Sequence, residues 1–209
     1  MFSKKAQFIP YKDDNVRMSF PLVTLILIIA NVVIFFLSLS DFENIILGYG
    51  FTPASFSIIT LFTSMFLHSS IPHLFGNMLY LWIFGDNVED KLGRLKYIVF
   101  YILAGLAATL IHFLSNPASA IPAVGASGAI SGVLGAYFVL FPGEKVRAYI
   151  FYIGSVKLYA FVIIGAWFLL QLTMAYLSPE AGIAFFAHIG GFVFGFLAGF
   201  VIKIFRLAK

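Results

Sequence analysis

Six apolar runs, near residues 21–39, 71–85, 96–114, 127–141, 158–177 and 183–204, constrain this chain more than any other feature. About 20 apolar residues cross a bilayer as a helix, and in hydrocarbon only helices and closed barrels satisfy their own backbone. The composition agrees. The chain is 61% hydrophobic and 11% charged, where soluble domains carry about 25% charged residues. The expectation is an all-α membrane protein, a bundle of six transmembrane helices over 21–204. A polar segment, 1–20, precedes this single domain and a short tail, 205–209, follows it.

Charge placement orients the bundle. Six spans leave seven polar segments on alternating sides, and all 13 Lys and Arg fall on one side. Lys4, Lys5, Lys12 and Arg17 precede the first run, and Lys91, Arg94 and Lys96 separate the second from the third. Lys145, Arg147 and Lys157 separate the fourth from the fifth; Lys203, Arg206 and Lys209 close the chain. Basic loops stay cytoplasmic, so both termini are expected there; the membrane is expected to be the plasma membrane of a prokaryotic cell. The net charge of +4 then reflects topology rather than nucleic acid. The first run lacks a small-residue cleavage site and reads as a retained span. With no cysteine, disulfides, Cys-ligated metals and thiol nucleophiles are excluded. No HExxH occurs, which excludes an intramembrane zinc protease.

The outer side holds the chemistry. The first outer loop, about 40–60, is semi-apolar and broken by Gly48, Gly50 and Pro53, so short interfacial pieces are expected. The fourth run is short for a span, about 22 Å against about 30 Å of hydrocarbon, so its outer end is expected to start below the surface. The preceding SNPASAIPAVG is expected to dip inward to meet it, lining a wet cavity. The second, fourth and sixth helices run inward from the outer side. Near their outer ends stand His73 and Asn77, then Ser127, then His188. Polar groups are rare in spans, and three helices delivering them to one depth point to a site.

Small residues can bring two of them together. Gly128, Gly132 and Gly135 stripe the fourth helix, and Ala187, Gly191, Gly195 and Gly199 the sixth. Such stripes let helix backbones approach closely in lipid, here with Ser127 and His188 at their outer ends. A serine needs a base to attack, and imidazole has the right proton affinity. No carboxylate lies within an outer helix end, so the arrangement is a dyad. A serine at a helix N-terminus also offers backbone N–H groups to an oxyanion. His73 and Asn77, four residues apart on one face, can add donors. His68 and His112 read as structural, with His68 pinning the first outer loop, and Tyr80, Trp82 and Trp167 as interfacial or packing aromatics.

Three stretches in order, FTSMFLHSSIPHLFGNMLYLWIFGDNVEDKLG (62–93), VGASGAISGVLGAY (124–137) and AHIGGFVFG (187–195), resemble the rhomboid family of intramembrane serine proteases. The resemblance runs from about Phe51 to Gly199 and carries the motifs HxxxN, GxSG and AHxGGxxxG. It implies Ser127 as nucleophile, His188 as general base, and His73, Asn77 and the Ser127 N–H as oxyanion donors. Gly125 and Gly128 would give the tight backbone around the serine, and Gly191 and Gly195 the close contact of the fourth and sixth helices. It implies no cofactor or metal, and single-span membrane proteins as substrates, cut near the outer membrane surface.

Two positions depart from the family pattern. Ser131 stands where some members place an aromatic residue against the catalytic histidine. The first outer loop lacks the Trp-Arg pair of many members, leaving Phe51, Pro53 and Phe56 to seat it. Glu89 fits the pattern, with Lys91 where Arg is frequent. The alternatives are a catalytically weak rhomboid-like protein that binds membrane clients, and a transporter using the outer histidines. The latter lacks intramembrane carboxylates and repeated broken helices.

Overall fold

The computed structural model describes residues 8–14, 18–150, 154–177 and 183–207. The helices are α1 (Leu22–Ser38), α2 (Phe42–Tyr49), α3 (Ile58–Thr63), α4 (Ile71–Leu92), α5 (Arg94–Ser115), α6 (Ser127–Leu140), α7 (Ala160–Leu177) and α8 (Phe185–Leu207). Four segments are long and apolar enough to cross a membrane: Leu22–Tyr49, Arg94–Ser115, Ala160–Leu177 and Phe185–Phe205. A fifth is the pair Ile58–Phe66 and Ile71–Leu92, bent by 87° at the break. The molecule is a multi-pass membrane protein built as a helical bundle.

Helix α6, with 14 residues, is only about 21 Å long. It is enclosed on every side: each residue from Gly128 to Tyr137 is buried. A helix apolar all round belongs in the middle of a bundle, and α4, α5, α7 and α8 surround this one. Contact with α8 is closest. A methyl group on Gly191 or Gly195 would land inside the carbonyl of Gly128 or Gly132, and one on Gly135 inside that of Phe192. On its other side, Gly132 and Gly128 face Ala104 and Ala108 of α5. These glycines bring backbone against backbone.

Helix α4 continues past the end of its apolar run, near residue 85, to Leu92 because its polar last turns have partners. Glu89, 1% exposed, accepts from the N–H groups of Val23 and Thr24 at 2.9 and 2.8 Å and from Thr24 Oγ1 at 2.8 Å. It therefore caps α1, whose own N-cap position is Pro21 with no side-chain cap. Unsatisfied N–H groups at a helix start favour an anionic acceptor. Gly93, at φ 78, turns the chain directly into α5.

The all-helical expectation needs one correction. Strands β1 (Phe8–Asp13), β2 (Lys145–Ile150) and β3 (Gly154–Tyr159) form an antiparallel sheet in the order β1-β2-β3. It sits at the end of the bundle away from Ser127, built from two basic segments read as plain loops. Its signal was a short alternation. Val146 and Ala148 are buried, while Arg147 and Tyr149 face out, a period-two pattern over too few residues to stand above its charges. Asp13 ends β1 in a buried position, accepting from Asn87 Nδ2 at 2.6 Å and Tyr137 OH at 2.9 Å.

Two outcomes follow from these buried carboxylates. Glu89→Ala leaves two helix-start N–H groups unpaired and is expected to cost about 1–3 kcal/mol, read as a lower melting temperature in detergent. Burial holds the Asp13 carboxyl above its ordinary 3.8, against the hydrogen bonds from Tyr137 and Asn87 that lower it. The folded state thus keeps this proton to higher pH than the unfolded chain does. Its contribution to stability is present below the unfolded value and is lost as pH rises through the folded one. Asp13→Asn should therefore slow hydrogen exchange along the β1–β2 ladder at neutral pH, with the advantage closing by about pH 4.

Candidate active site

Ser127 is the first residue of α6, and what precedes it is fixed by the first long loop. Phe51 and Ala123 exchange backbone hydrogen bonds of 2.9 and 2.8 Å, and Ala54 N–H donates to the Ser119 carbonyl at 3.0 Å. Gly125 N–H donates to the Ser64 carbonyl at 2.9 Å. The loop itself is seated by an edge-to-face cluster of Phe51, Phe56 and Phe113, with Pro53 buried beside it. Short helices α2 and α3 make up the expected broken pieces of this loop.

Gly125 has φ +132, a conformation open to glycine, and a methyl group there would stand 2.9 Å from the His73 ring. Its backbone thus lies against His73 and beside Ser127 Oγ. His73 Nδ1 accepts from the Ser69 N–H at 3.5 Å and pairs with Ser69 Oγ at 3.1 Å. An N–H can only donate, so Nδ1 is the acceptor and Nε2 carries the proton. That proton lies on the ring edge facing Gly125. One turn on, Asn77 is buried with its Nδ2 lacking a partner. A buried donor left unpaired is costly and calls for an acceptor.

His188 lies in the first turn of α8, three residues before Gly191, where the glycine contact sets it against α6. Its Nε2 stands 2.8 Å from Ser127 Oγ. Its Nδ1 stands 2.8 Å from Gln171 Oε1 of α7. The amide oxygen accepts, so Nδ1 donates, and Nε2 is free to accept the serine proton. The site thus has a third member, where the sequence reading expected a dyad. The signal was present: Gln171 is a strongly polar residue inside an uncharged apolar run.

One turn earlier on α7, Trp167 places its ring centroid 6.0 Å from that of His188, tilted by 39°. It supplies the aromatic neighbour that position 131 does not. Ser131 instead donates from Oγ to the Ser127 carbonyl at 2.6 Å, staying within α6. The sequence pattern, which gives Trp167 as an interfacial or packing aromatic, does not place it beside His188. His68 is fully buried with its ring 5.1 Å from that of His73, so it packs on a site residue.

These groups open into one cavity of about 1050 Å³, lined by His73, Asn77, Ser127, His188, His112 and Trp167 among others. Among the described residues no charged side chain lines it. The serine, a base with a fixed tautomer and unpaired donors beside a helix N-terminus can together perform nucleophilic acyl transfer. Gln171→Leu removes the partner that fixes the His188 tautomer. It is expected to slow Ser127 labelling by a phosphonate about 10- to 100-fold, less than the loss for a carboxylate partner. Labelling rate against pH reads this out.

Residues 55–205 match the family model described as Rhomboid domain. The chain is 33% identical over 151 residues to "Rhomboid protein 1, mitochondrial" of Saccharomyces cerevisiae, covering 70% of this chain and 42% of the relative. It is 32% identical over 139 residues to "Rhomboid protease GluP" of Bacillus subtilis, covering 66% and 25%. It is 30% identical over 134 residues to "Putative rhomboid protease YdcA" of the same organism, covering 61% and 67%. The matched region thus spans less than half the length of the yeast relative and of GluP.

Proposed function

The chain belongs to the rhomboid family, and we propose that it works as an intramembrane serine endopeptidase cutting single-span membrane proteins near the outer membrane face. The observation that carries this reading is the line Gln171–His188–Ser127, with 2.8 Å at each step, inside a cavity with unpaired donors. Ser127 Oγ attacks the scissile carbonyl while His188 Nε2 takes its proton. The developing oxyanion is met by the His73 Nε2–H, the Asn77 amide and the Ser127 backbone N–H. His188 then protonates the leaving amine, and water, activated by the same nitrogen, releases the acyl group.

The topology proposed with this chemistry is six spans, α6 being the short one, with both termini cytoplasmic. The one-sided placement of 13 basic residues supports it. Ser127 then lies roughly 5–10 Å below the outer surface. The membrane proposed is a prokaryotic plasma membrane, and cell fractionation with single-cysteine labelling at Ser115 and Lys209 tests both statements.

Ser127→Ala and His188→Ala are each expected to abolish turnover, with the double variant no worse than either, because paired groups act as a unit. Asn77→Ala should be partial, below the roughly 100- to 1,000-fold loss seen when a dominant oxyanion donor goes. Mass spectrometry after phosphonate treatment should map the adduct to Ser127; an adduct elsewhere sinks the assignment. Substrate helices must unwind to present an extended peptide, which helix breakers favour by about 1 kcal/mol for Gly and about 3 for Pro. Replacing those breakers with leucine in a liposome substrate should lower kcat more than it raises KM.

A further inference from the structure

The chemistry at Ser127 leaves unused the three-stranded sheet at the opposite end of the bundle. The two faces of that sheet differ. Pro10, Asp13, Val146 and Ala148 are buried on the inner face, where Asp13 reaches Asn87 of α4 and Tyr137 of α6. The outer face carries Lys12, Arg147 and Lys157, exposed and partnered in register across β1, β2 and β3. Lys145 and Tyr159 form the next row, with the Lys145 ammonium 4.7 Å from the centroid of the Tyr159 ring. Tyr11, Tyr149 and Tyr159 are exposed on this face too, and the Tyr11 hydroxyl meets Ser155 Oγ at 2.7 Å.

Like charges directly opposite one another destabilise a sheet, and here three stand side by side. Asp14 pairs with Arg147 at 3.1 Å and with Lys157. Among the described residues of this face, that one carboxylate stands against Lys12, Lys145, Arg147 and Lys157. The excess calls for anions from outside the chain.

Depth names their source. Tyr137 lies in the last turn of α6, and Asn87 within two turns of the end of α4. Tyr159 ends β3 and Ala160 begins α7 without a break. A strand rises about 3.3 Å per residue, which puts Lys157 within about 10 Å of the start of α7. In the proposed topology this is the headgroup level of the cytoplasmic leaflet. Attraction between basic residues and anionic lipid acts over about that distance, the Debye length. Tyrosine rings favour the same layer. A client span carries basic cytoplasmic flanks by the same charge rule, so this face repels clients rather than holding them.

We propose that the outer face of the sheet docks on the headgroups of anionic lipids, with Lys12, Lys145, Arg147 and Lys157 as the cations that meet their phosphates. The surface is independent of the protease reading; only the choice of leaflet follows the proposed topology.

Acetylation by a water-soluble ester tests this on the unaltered chain. The protein is placed in nanodiscs, which expose both leaflets, made of phosphatidylcholine alone or with about a third phosphatidylglycerol. Mass spectrometry compares Lys12, Lys145 and Lys157 with Lys96 and Lys203, exposed on α5 and α8. Phosphatidylglycerol should slow acetylation of the three sheet lysines about threefold more than that of the two references. High salt should remove the difference. Equal rates in the two discs, or equal slowing at every lysine, overturns the proposal. Protection by a soluble glutamate-rich peptide in phosphatidylcholine discs, where phosphatidylglycerol gives none, would put a protein on this face and overturns it as well. Arg147→Gln removes one cation without touching the buried face. It should bring Lys12 and Lys145 in anionic discs back toward their phosphatidylcholine rates, and unchanged protection there also refutes the surface.

Discussion

Two helix backbones in van der Waals contact fix the rest of this molecule. Lipid tails are as apolar as leucine, so helices in a bilayer gain little from hiding apolar side chains and associate where their surfaces fit. Here the fit is glycine on carbonyl, repeated along α6 and α8 at Gly128 and Gly191, Gly132 and Gly195, and Gly135 and Phe192. No side chain can intervene, so the glycines fix the register of the two helices. Ser127 and His188 stand next to the first of these contacts, and their 2.8 Å separation is a consequence of it.

A second set of constraints comes from buried polar groups whose partners lie far off in sequence. Glu89 caps α1 across 65 and 66 residues, and Asp13 reaches Tyr137 across 124. Gln171 reaches His188 across 17. Each buried donor or acceptor tolerates few arrangements, because leaving it unpaired in a low-dielectric interior is expensive. Glycines therefore set the central pair of helices, and these bonds set the elements around it. The two kinds of constraint differ in use. The glycine contact is rigid, whereas the hydrogen bonds at the rim join side chains that can exchange partners.

Much of the candidate site could be read along the chain, for a physical reason. Ser127, His188, His73 and Asn77 are polar residues in spans that otherwise carry few, and the small-residue stripes beside two of them announce close approach. The third partner of the serine and histidine was not read, because one glutamine in an apolar run gives no direction without the helix that faces it. Trp167 was hidden in the same way among many aromatic residues. The sheet was missed because even the nearest paired residues of β1 and β2, Asp13 and Val146, are 133 residues apart, while each strand holds only six residues. Local pattern is weak over six positions, and pairing across such a distance leaves no local trace.

The sequence by itself determined the solvent this chain folds in, the helical class, the close contact of two glycine-striped helices and the residue types gathered at one depth. These follow from hydropathy and from side-chain size, which each residue carries with it. The tertiary structure decided the tautomers of His73 and His188, the use of Trp167 where Ser131 stands, the capping of α1 by Glu89 and the pairing of the distant β1 with β2 and β3. Those depend on which group lies within about 3 Å of which other, a property of the packed chain and of no residue alone.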